Sequence, residues 1–382
     1  MLNLEVRKRF VNDMNLSFPV LEDPYFDYYV DLYNEHHNSK EKLNLLIKEI
    51  EKFDSQEDFL KDYYKTRDNI LEALKNDAYN NFISMDMNKF GIKNTVFSKK
   101  SVFKKDNVGK TFVSIDLVKA NFQALKFIDK DLVLGANTYY ELISKFTDME
   151  YIKESKYIRQ VIFGNLNPKR TTTIERYLIE QILNLLFNRN CVHIKDIHMV
   201  YADEIVYEVK ENLDIDSICN LTTIIKETLN IDVDIEIYKL KQIGNIHSFF
   251  VKELLNKEGY EIMCVPQDLK PQVLKYLKRE TVNEFDRTFK NDGRIAIYRD
   301  DFQLNEYKCG DKVAITNLIG LDNTNLKVGD VGTYISKCKG EFNRDTHLIV
   351  FDRDVRDIGG LEARRQLLLN LNNFKPDNDN IY

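Results

Sequence analysis

Hydrophobic residues recur along this chain with two different periods, and blocks of one period alternate with blocks of the other. Up to about residue 95 they recur at helical spacing, which predicts helices over 41–53 and from Ser55 to about residue 74. Ser55 and Asp58 have the spacing of a capping box, so the second helix is expected to begin at Ser55. Short runs of β-branched and aromatic residues then predict strands at 112–115, 199–209 and 231–240.

Helical spacing also fills the stretches between these strands. It predicts helices near 138–146, 153–163, 172–188 and 215–229. Thr172 and Glu175 have capping-box spacing, and Pro168 is expected to break the chain just before that helix. The resulting order is strand, helical insert, strand, strand, helix, strand, which is that of a ferredoxin-like fold. Such an antiparallel sheet carries helices on one face and leaves the other face free.

Three carboxylates fall at the ends of these strands. Asp116 ends the first strand, and Asp203 with Glu204 occupies the corner of the hairpin 199–209. Neighbouring carboxylates repel one another, so the arrangement costs stability unless a cation compensates it. Mg²⁺ prefers carboxylate oxygens, and a pair of such ions can clamp the attacking and leaving oxygens of a phosphoryl displacement. The alternative for the corner is a solvated turn, because Asp is common in turns.

These residues carry a resemblance to palm-domain nucleic-acid polymerases. The motif Asp-x-x-x-Ala-x-Phe at 116–122 resembles the first palm motif of reverse transcriptases, and Tyr-Ala-Asp-Glu at 201–204 resembles their Tyr-x-Asp-Asp hairpin. Between them, Lys-x6-Phe-Gly at 156–164 is similar to the fingers-helix motif of family B DNA polymerases. The motifs follow the order that such polymerases use and cover roughly 96–245, which is under half of the chain.

The resemblance implies a cofactor, Mg²⁺ or Mn²⁺, held by Asp116 and Asp203, with Glu204 as a third or outer ligand. It implies nucleoside triphosphates and a nucleic acid, DNA or RNA, as partners. Lys156 and Arg159, three positions apart on a helix, would meet the nucleotide phosphates.

Three further positions in the motifs bear on nucleotide binding. Gly164 would let its helix approach the base pair closely. Asn121 stands where these families place an aromatic sugar gate, and Phe122 follows it. The choice between dNTPs and NTPs is therefore open. The Glu at 204 is a second departure from the family pattern and puts the second metal position in doubt.

Basic residues cluster on either side of the first two motifs. They are expected to contact the nucleic-acid backbone, the alternative being solvated loop charge, and they are Lys99, Lys100, Lys104, Lys105, Lys169 and Arg170. The chain as a whole has a formal net charge of −6, which is not typical of a nucleic-acid-binding protein. Binding would therefore depend on such local basic segments.

Beyond residue 245 the pattern changes twice. Helical spacing over 246–300 predicts a thumb-like helical segment. Over 301–370, runs bounded by Gly and Asp at 310–315, 328–334 and 347–351 predict the strands of an SH3-like barrel that folds separately. Such barrels bind nucleic acids or proteins, so a protein partner is possible there. The tail, 371–382, is polar and expected to be loose.

The expected class is thus α+β, with a helical region at 1–95 and a ferredoxin-like palm with fingers-like helices at 96–245 preceding the thumb-like segment and the barrel.

The five scattered cysteines lack metal-ligand spacing and fit reduced thiols in a cytoplasm. His36 and His37 are expected to be solvated. No run of eighteen apolar residues occurs, so no membrane span is expected. Abundant Lys, Asn and Ile indicate an AT-rich genome, such as that of a phage.

The function that these features favour is a metal-dependent nucleotidyltransferase, most simply a small template-directed polymerase. One alternative is a template-independent palm transferase or a nucleotidyl cyclase, whose hairpin also ends in Asp-Glu. The fingers-like motif would then be a coincidence. The other is an inactive palm that serves as a nucleic-acid-binding or assembly module, which the net acidity and Asn121 favour.

Overall fold

The computed structural model describes residues 1–91, 101–209, 214–244, 249–291, 293–299, 309–315, 324–339, 345–356, 363–369 and 374–376, which form an α+β chain with antiparallel sheets. The α-helices in these ranges are α1 (Leu4–Asp13), α2 (Tyr25–Leu32), α3 (Asn34–His37), α4 (Ser39–Ile50), α5 (Gln56–Leu74), α6 (Asp77–Ser84), α7 (Ala120–Ile128), α8 (Tyr139–Ser144), α9 (Glu150–Glu154), α10 (Lys156–Gly164), α11 (Pro168–Asn188), α12 (Ile215–Leu229), α13 (Lys270–Lys278) and α14 (Glu284–Arg287).

The strands in the same ranges are β1 (Thr111–Leu117), β2 (Ile197–Tyr201), β3 (Glu204–Val209), β4 (Val233–Gln242), β5 (Phe250–Leu254), β6 (Tyr260–Met263), β7 (Thr288–Asn291), β8 (Arg294–Arg299), β9 (Lys312–Ile315), β10 (Val331–Lys339), β11 (Asp345–Arg356), β12 (Ala363–Leu369) and β13 (Phe374–Pro376). No helix in the described ranges is long and apolar enough to cross a membrane.

The N-terminal helices and the helices inserted after β1 share one apolar core. Phe10 of α1, Phe59 of α5, Tyr151 of α9 and Ile162 of α10 are all buried in it. As predicted, α5 is capped by Ser55, whose hydroxyl accepts a hydrogen bond from the Asp58 amide at 3.1 Å. Helices from both sides of the predicted domain boundary at residue 95 therefore share this one core.

The first sheet has the strand order β2-β3-β1-β4-β5-β6, with antiparallel neighbours throughout. The order β1, helices, β2, β3, α12, β4 agrees with the prediction from the sequence. Alternate residues of β1, β3 and β4 pack against α7, α11 and α12. The opposite face of the sheet, here called the open face, carries the remaining side chains of these strands. The prediction that this face is left free was wrong for its middle part, where Val102 and Phe103 pack on Phe112, Val206 and Tyr238.

The start of α11 differs from the prediction. The helix begins at Pro168 with Asn167 as its N-cap, four residues before the predicted capping box at Thr172. Proline is tolerated in the first helical turn because its missing N–H would have no partner there. The prediction that Pro168 breaks the chain was therefore wrong, and Glu175 lies inside the helix and not at its cap.

The helical prediction for 246–300 was wrong over β5 to β8. Phe249 and Val251 enter one core and Phe250 enters another, on the opposite face of the sheet. This alternation is the period of a strand, and the spacing from Phe250 to Leu254 matched a helix by coincidence. Only the parts of this segment that form α13 and α14 are α-helical among the described residues.

The second sheet begins at β7, ahead of the predicted boundary at 301. Its strand order is β12-β11-β10-β8-β7, while β9 pairs with β10 and with β13. Among the described residues these pairings do not close into a barrel. Side chains of this sheet share a core with β5 and α13, for example Tyr298 and Leu348 with Val273. This shared core argues against the predicted separate folding of 306–352.

The start of the predicted loose tail also has regular structure. The main chain of Phe374–Pro376 forms β13 and pairs antiparallel with β9. Pairing between main chains requires no particular side chains, which is why the polar composition of the tail did not indicate it. The other residues of the tail lie outside the described ranges.

Candidate active site

The end of β1 brings three carboxylates into one row across the sheet. Asp116 pairs directly with Glu204 of β3 on one side and with Asp234 of β4 on the other. Directly opposed residues of antiparallel strands project from the same face, with Cβ atoms about 5 Å apart. The open face therefore carries Glu204, Asp116 and Asp234 side by side, here called the acidic row.

Asp203 joins the acidic row through the hairpin turn. Tyr201 pairs with Glu204, so Ala202 and Asp203 form a two-residue turn, which agrees with the predicted acidic corner. Ala202 has a φ of +39°, a left-handed conformation that favours glycine. The main-chain N–H of Leu117 donates to the carbonyl of Asp203 at 3.0 Å. This bond fixes the turn against the end of β1, beside Asp116.

The loop that follows Asp116 is held by a buried glutamine. The side-chain amide of Gln123 donates to the carbonyls of Val118 and Asp232, each at 2.6 Å, and its oxygen accepts from the Asp232 N–H at 2.7 Å. These bonds join α7 to the start of β4 across the end of β1. The sequence analysis missed Gln123, and the available signal was a polar residue on the apolar face of α7.

A further acid reaches the site from α11. Glu175 is only 4% exposed and accepts a hydrogen bond from the side-chain amide of Asn121. Burial, followed by the negative charge of Asp203, raises the pKa of Glu175 to about 7. The position where the resemblance expects an aromatic gate is thus occupied by a hydrogen-bonded polar pair. The sequence analysis missed this role because it assigned Glu175 to a helix cap.

Desolvation and the repulsion of neighbouring carboxylates both disfavour ionisation in the acidic row. Desolvation by surrounding protein, followed by the charges of Asp203, Glu204, Asp234 and Glu236, raises the pKa of Asp116 to about 7. Burial also raises the pKa of Asp203. Part of the Asp116 side chain remains exposed, so an ion from solvent has access to it.

The carboxylates differ in how their charges are compensated. Ser114 donates a hydrogen bond to Glu204 at 2.6 Å, and Lys257 pairs with Asp234 at 2.6 Å. Within the part of the chain that the structure describes, no lysine, arginine or histidine forms an ion pair with Asp116 or Asp203. Glu204 likewise has no ion pair there, so Asp116, Asp203 and Glu204 are the carboxylates whose charge a cation would compensate.

The chemistry of this donor set fits a hard divalent ion such as Mg²⁺, because every candidate ligand is a carboxylate oxygen. The like charges around Asp116 are the repulsion that such an ion would relieve. The side chains are not arranged as a ready-made metal site, however. In the described ranges, no three His, Cys, Asp or Glu side chains converge closely enough to hold a metal ion.

Basic side chains gather around Tyr139, which follows α7. Lys119, two residues after β1 ends, is the N-cap residue of α7, and its ammonium lies 5.0 Å from the centre of the Tyr139 ring. The guanidinium of Arg159, from α10, lies 6.0 Å from the same ring. Burial, followed by the charge of Arg159, lowers the pKa of both Lys119 and Lys156.

Lys270 of α13 extends this group, because burial and then the charge of Lys156 lower its pKa. We call Lys119, Lys156, Arg159 and Lys270 the cationic cluster. In the described ranges none of the first three forms an ion pair with a carboxylate. The fold thus brings the predicted Lys156 and Arg159 together, and it adds Lys119 and Lys270, which the sequence analysis did not single out.

Two residues of the predicted nucleotide site have other surroundings. Phe122 is 3% exposed and packs against Tyr139 and Phe163 in the first core, so its ring is not presented to a ligand. Gly164 ends α10 at an exposed position, where an added Cβ would meet nothing within 4 Å. No protein contact requires glycine there, and its predicted approach to a base pair stays a prediction.

The predicted backbone-binding residues are spread apart. Lys99 and Lys100 lie outside the described residues. Lys104 and Lys105 are exposed but precede β1, and about 20 Å of extended strand separates them from Asp116. Val102 packs on Phe112 and Val206, so this segment turns back over the open face. The use of Lys104 and Lys105 as backbone contacts stays a prediction.

The second basic pair divides between two roles. Lys169 is exposed in the first turn of α11. Arg170 donates to the carbonyl of Met85 at 2.8 Å, so it fastens α11 to the segment after α6. Arg170 therefore has a structural contact, and Lys169 is the one of the two that stays free to meet a ligand.

No protein-family model matches this chain, and no curated protein matches it either. The functional interpretation therefore depends on the acidic row, the turn at Asp203 and the cationic cluster.

Proposed function

We propose that this protein is a metal-dependent nucleotidyltransferase with a palm-type catalytic domain, acting as a small template-directed polymerase. The observation that carries the proposal is the register of β1, which sets Asp116 between Glu204 and Asp234 while the turn at Asp203 bonds to the same strand end. The strand order β2-β3-β1-β4, with helices on one face, supports a ferredoxin-like palm.

Asp116 and Asp203 would hold Mg²⁺ or Mn²⁺, with Glu204 as a third or outer ligand. When bound, such an ion would supply Lewis-acid stabilisation of the charge that develops on a phosphoryl group during transfer. Ser114 keeps the Glu204 carboxylate in one orientation, and Gln123 fixes the loop that carries Asp116 into α7. These residues hold the acids in position before any ligand binds.

Lys119, Lys156 and Arg159 of the cationic cluster would receive the triphosphate of the incoming nucleotide. Charge-assisted hydrogen bonds from lysine and arginine to phosphate are among the stronger polar contacts. The pKa values of Lys119 and Lys156 are lowered by burial and then by the charge of Arg159, and an anionic ligand would favour the charged form of both lysines. The open face beside the acidic row would then accept the nucleic acid, with Lys104, Lys105 and Lys169 along its path.

One observation favours the inactive-palm alternative, in which the fold only binds nucleic acid. In the described part of the chain, three metal-ligating side chains do not converge into a ready-made site. A template-independent transferase would share the acids and the cationic cluster, and it differs only in needing no template.

Primer extension with the purified full chain tests the proposal. A labelled primer, annealed to a template or alone, is incubated with Mn²⁺ or Mg²⁺ and with dNTPs or NTPs in separate reactions. We expect metal-dependent extension that follows the template and that disappears in Asp116→Asn and Asp203→Asn. Asp68→Asn, an exposed acid on α5, is the control and should extend as the wild type does.

Each other outcome has a defined meaning. Extension of the unannealed primer would indicate the template-independent transferase. Nucleic-acid binding without extension under any of these conditions would favour the inactive palm and overturn the polymerase proposal.

A further inference from the structure

A cavity lies between the N-terminal helices and the β5–β6 hairpin, in a different part of the molecule from the acidic row. It has a volume of about 660 Å³ and is bordered by α3, β6 and α13. Cavities of roughly 300–1,000 Å³ are the usual size for small-ligand sites. We call it the histidine pocket, because His36 and His37 line one wall.

Aromatic rings form much of this wall. The His36 ring lies 4.6 Å from the Tyr260 ring, and its Nε2 is 3.0 Å from the Tyr260 hydroxyl. The His37 ring stacks on Tyr33, with ring centres 5.7 Å apart and an angle of 29°. The sequence analysis expected both histidines to be solvated. That expectation was wrong for His36, which is half-buried and hydrogen-bonded.

The surroundings favour the neutral form of both imidazoles. Desolvation lowers the pKa of His36, and desolvation followed by the charge of Lys42 lowers the pKa of His37 to about 4. A neutral imidazole offers one hydrogen-bond donor and one acceptor, besides its flat surface. These are the groups that recognise the edge and the face of a nucleobase.

The opposite side of the pocket supplies positive charge. Lys270 donates to the Ser17 hydroxyl at 3.0 Å and is also a member of the cationic cluster. Two acids at the rim form ion pairs, Glu35 with Lys278 and Glu261 with Lys252, which also pairs with Glu236. The third acid, Glu258, is exposed in the turn between β5 and β6. Lys270 is therefore the lysine among the lining residues that a phosphate would contact, and the charge of Glu258 at the exposed turn opposes it.

We propose that the histidine pocket binds one nucleotide, with its base against the His36, His37 and Tyr260 rings and its phosphate at Lys270. Lys270 also belongs to the cationic cluster, and we assign the nucleotide to a single strand bound along that cluster. This choice of source rests on the proposed function. A free mononucleotide has the same chemistry, and the experiment separates the two sources.

The test is fluorescence anisotropy of the full chain with a labelled single-stranded oligonucleotide of about 12 residues, in EDTA so that no divalent ion contributes. Lys270→Met and Tyr260→Leu should each weaken binding about tenfold, the size typical of losing one stacked base or its phosphate contact. Lys275→Met is the matched control, because Lys275 lies on the same helix but pairs with Glu280 at 2.6 Å. It should bind as the wild type does.

Two additional variants protect the test against misfolding. Tyr260→Phe keeps the ring and removes only the bond to His36, so it should bind nearly as the wild type does. His37→Ala removes an exposed ring and should weaken binding like Lys270→Met. If the wild type, Lys270→Met and His37→Ala bind the oligonucleotide with equal affinity, the proposal that the pocket binds a nucleotide is overturned.

Competition with AMP identifies the source of the nucleotide. If AMP displaces the strand from the wild type and binds more weakly to Lys270→Met, the pocket takes a free mononucleotide. If AMP does not compete, the pocket takes a nucleotide of the strand. Asp116→Asn should bind the oligonucleotide normally in EDTA. If the protein never extends a primer but Lys270→Met still weakens oligonucleotide binding, the pocket proposal stands and only the proposed function is overturned.

Discussion

Asp13 and Asp116 are both crowded by protein, yet their surroundings are opposite. Asp13 is 1% exposed and accepts hydrogen bonds from Arg9 at 3.1 Å, Tyr63 at 2.7 Å, Tyr151 at 2.8 Å and Ser155 at 2.7 Å. Asp116 faces four other carboxylates and no paired cation in the described ranges. Asp13 thus stabilises the fold through its hydrogen bonds, whereas the fold keeps Asp116 in place despite the repulsion of its neighbours.

The two surroundings are also connected through α10. Ser155, which donates to Asp13, is the N-cap of α10, and the Arg9 guanidinium lies 3.4 Å from the centre of the Tyr157 ring on the same helix. Lys156 and Arg159 of the cationic cluster follow directly. The buried Asp13 group therefore fixes the helix that carries the proposed phosphate contacts.

Asp13→Ala should produce the largest effect on stability. The change leaves the Arg9 guanidinium buried without its partner, and breaking a buried ion pair costs about 3–5 kcal/mol. Urea unfolding followed by circular dichroism measures the loss. Asp68→Ala on α5 is the exposed control, and its free energy of unfolding should change by no more than about 0.5 kcal/mol. A loss for Asp13→Ala no larger than for this control would break the comparison.

Glu175 should make stability depend on pH. Its pKa rises from 4.5 to about 7 on folding, so between these values the unfolded chain loses its proton first. The free energy of unfolding should therefore fall as pH rises from about 4.5 to about 7, by up to about 3 kcal/mol from this group. Glu175→Gln should flatten that fall, as measured by urea unfolding at several pH values.

The control for Glu175 lies on the same helix. Glu180 is also 4% exposed, so Glu180→Gln matches the first variant in helix and in burial. If both variants flatten the pH dependence equally, the effect belongs to the helix and not to the approach of Glu175 to Asp203.

Lys156→Ala should have the smallest effect on stability and a clear effect on nucleotide handling. Ile158 and Ile162 bury the apolar face of α10, so the helix does not depend on the lysine for packing. We expect a change of no more than about 0.5 kcal/mol in the free energy of unfolding and a higher KM for the nucleotide. Lys65→Ala, at an exposed position of α5, is the matched control. A destabilised variant with an unchanged KM would assign Lys156 to the fold.

The meeting of Asp116 with Asp203 and Glu204 could be predicted from the sequence, because each acid ends or turns a strand and the strand order sets those ends together. Asp234 and Glu175 could not be assigned in the same way. The register of β4 against β1 and the rotation of α11 about its axis are set by packing between distant segments. Local spacing does not contain that information, and for Glu175 it suggested a helix cap instead.

The strands of the C-terminal half were harder to predict from the sequence for a related reason. Spacings such as that from Phe250 to Leu254 fit a helix, whereas burial of alternate residues in two different cores reveals a strand only after the chain has folded. The strands β9, β10 and β11 were near the predicted runs, because their glycine and aspartate boundaries are local signals. The pairing of β10 with β8, which precedes the predicted boundary, is not local.

The most direct measurement of the central claim is the melting temperature of Asp116→Asn and of the wild type, each with EDTA and with Mn²⁺. In EDTA the variant should melt at the same temperature as the wild type or slightly higher, because the change removes repulsion and leaves packing intact. Mn²⁺ should raise the melting temperature of the wild type and have no effect on the variant. A variant that melts well below the wild type in EDTA, or that responds to Mn²⁺ as the wild type does, would contradict the account.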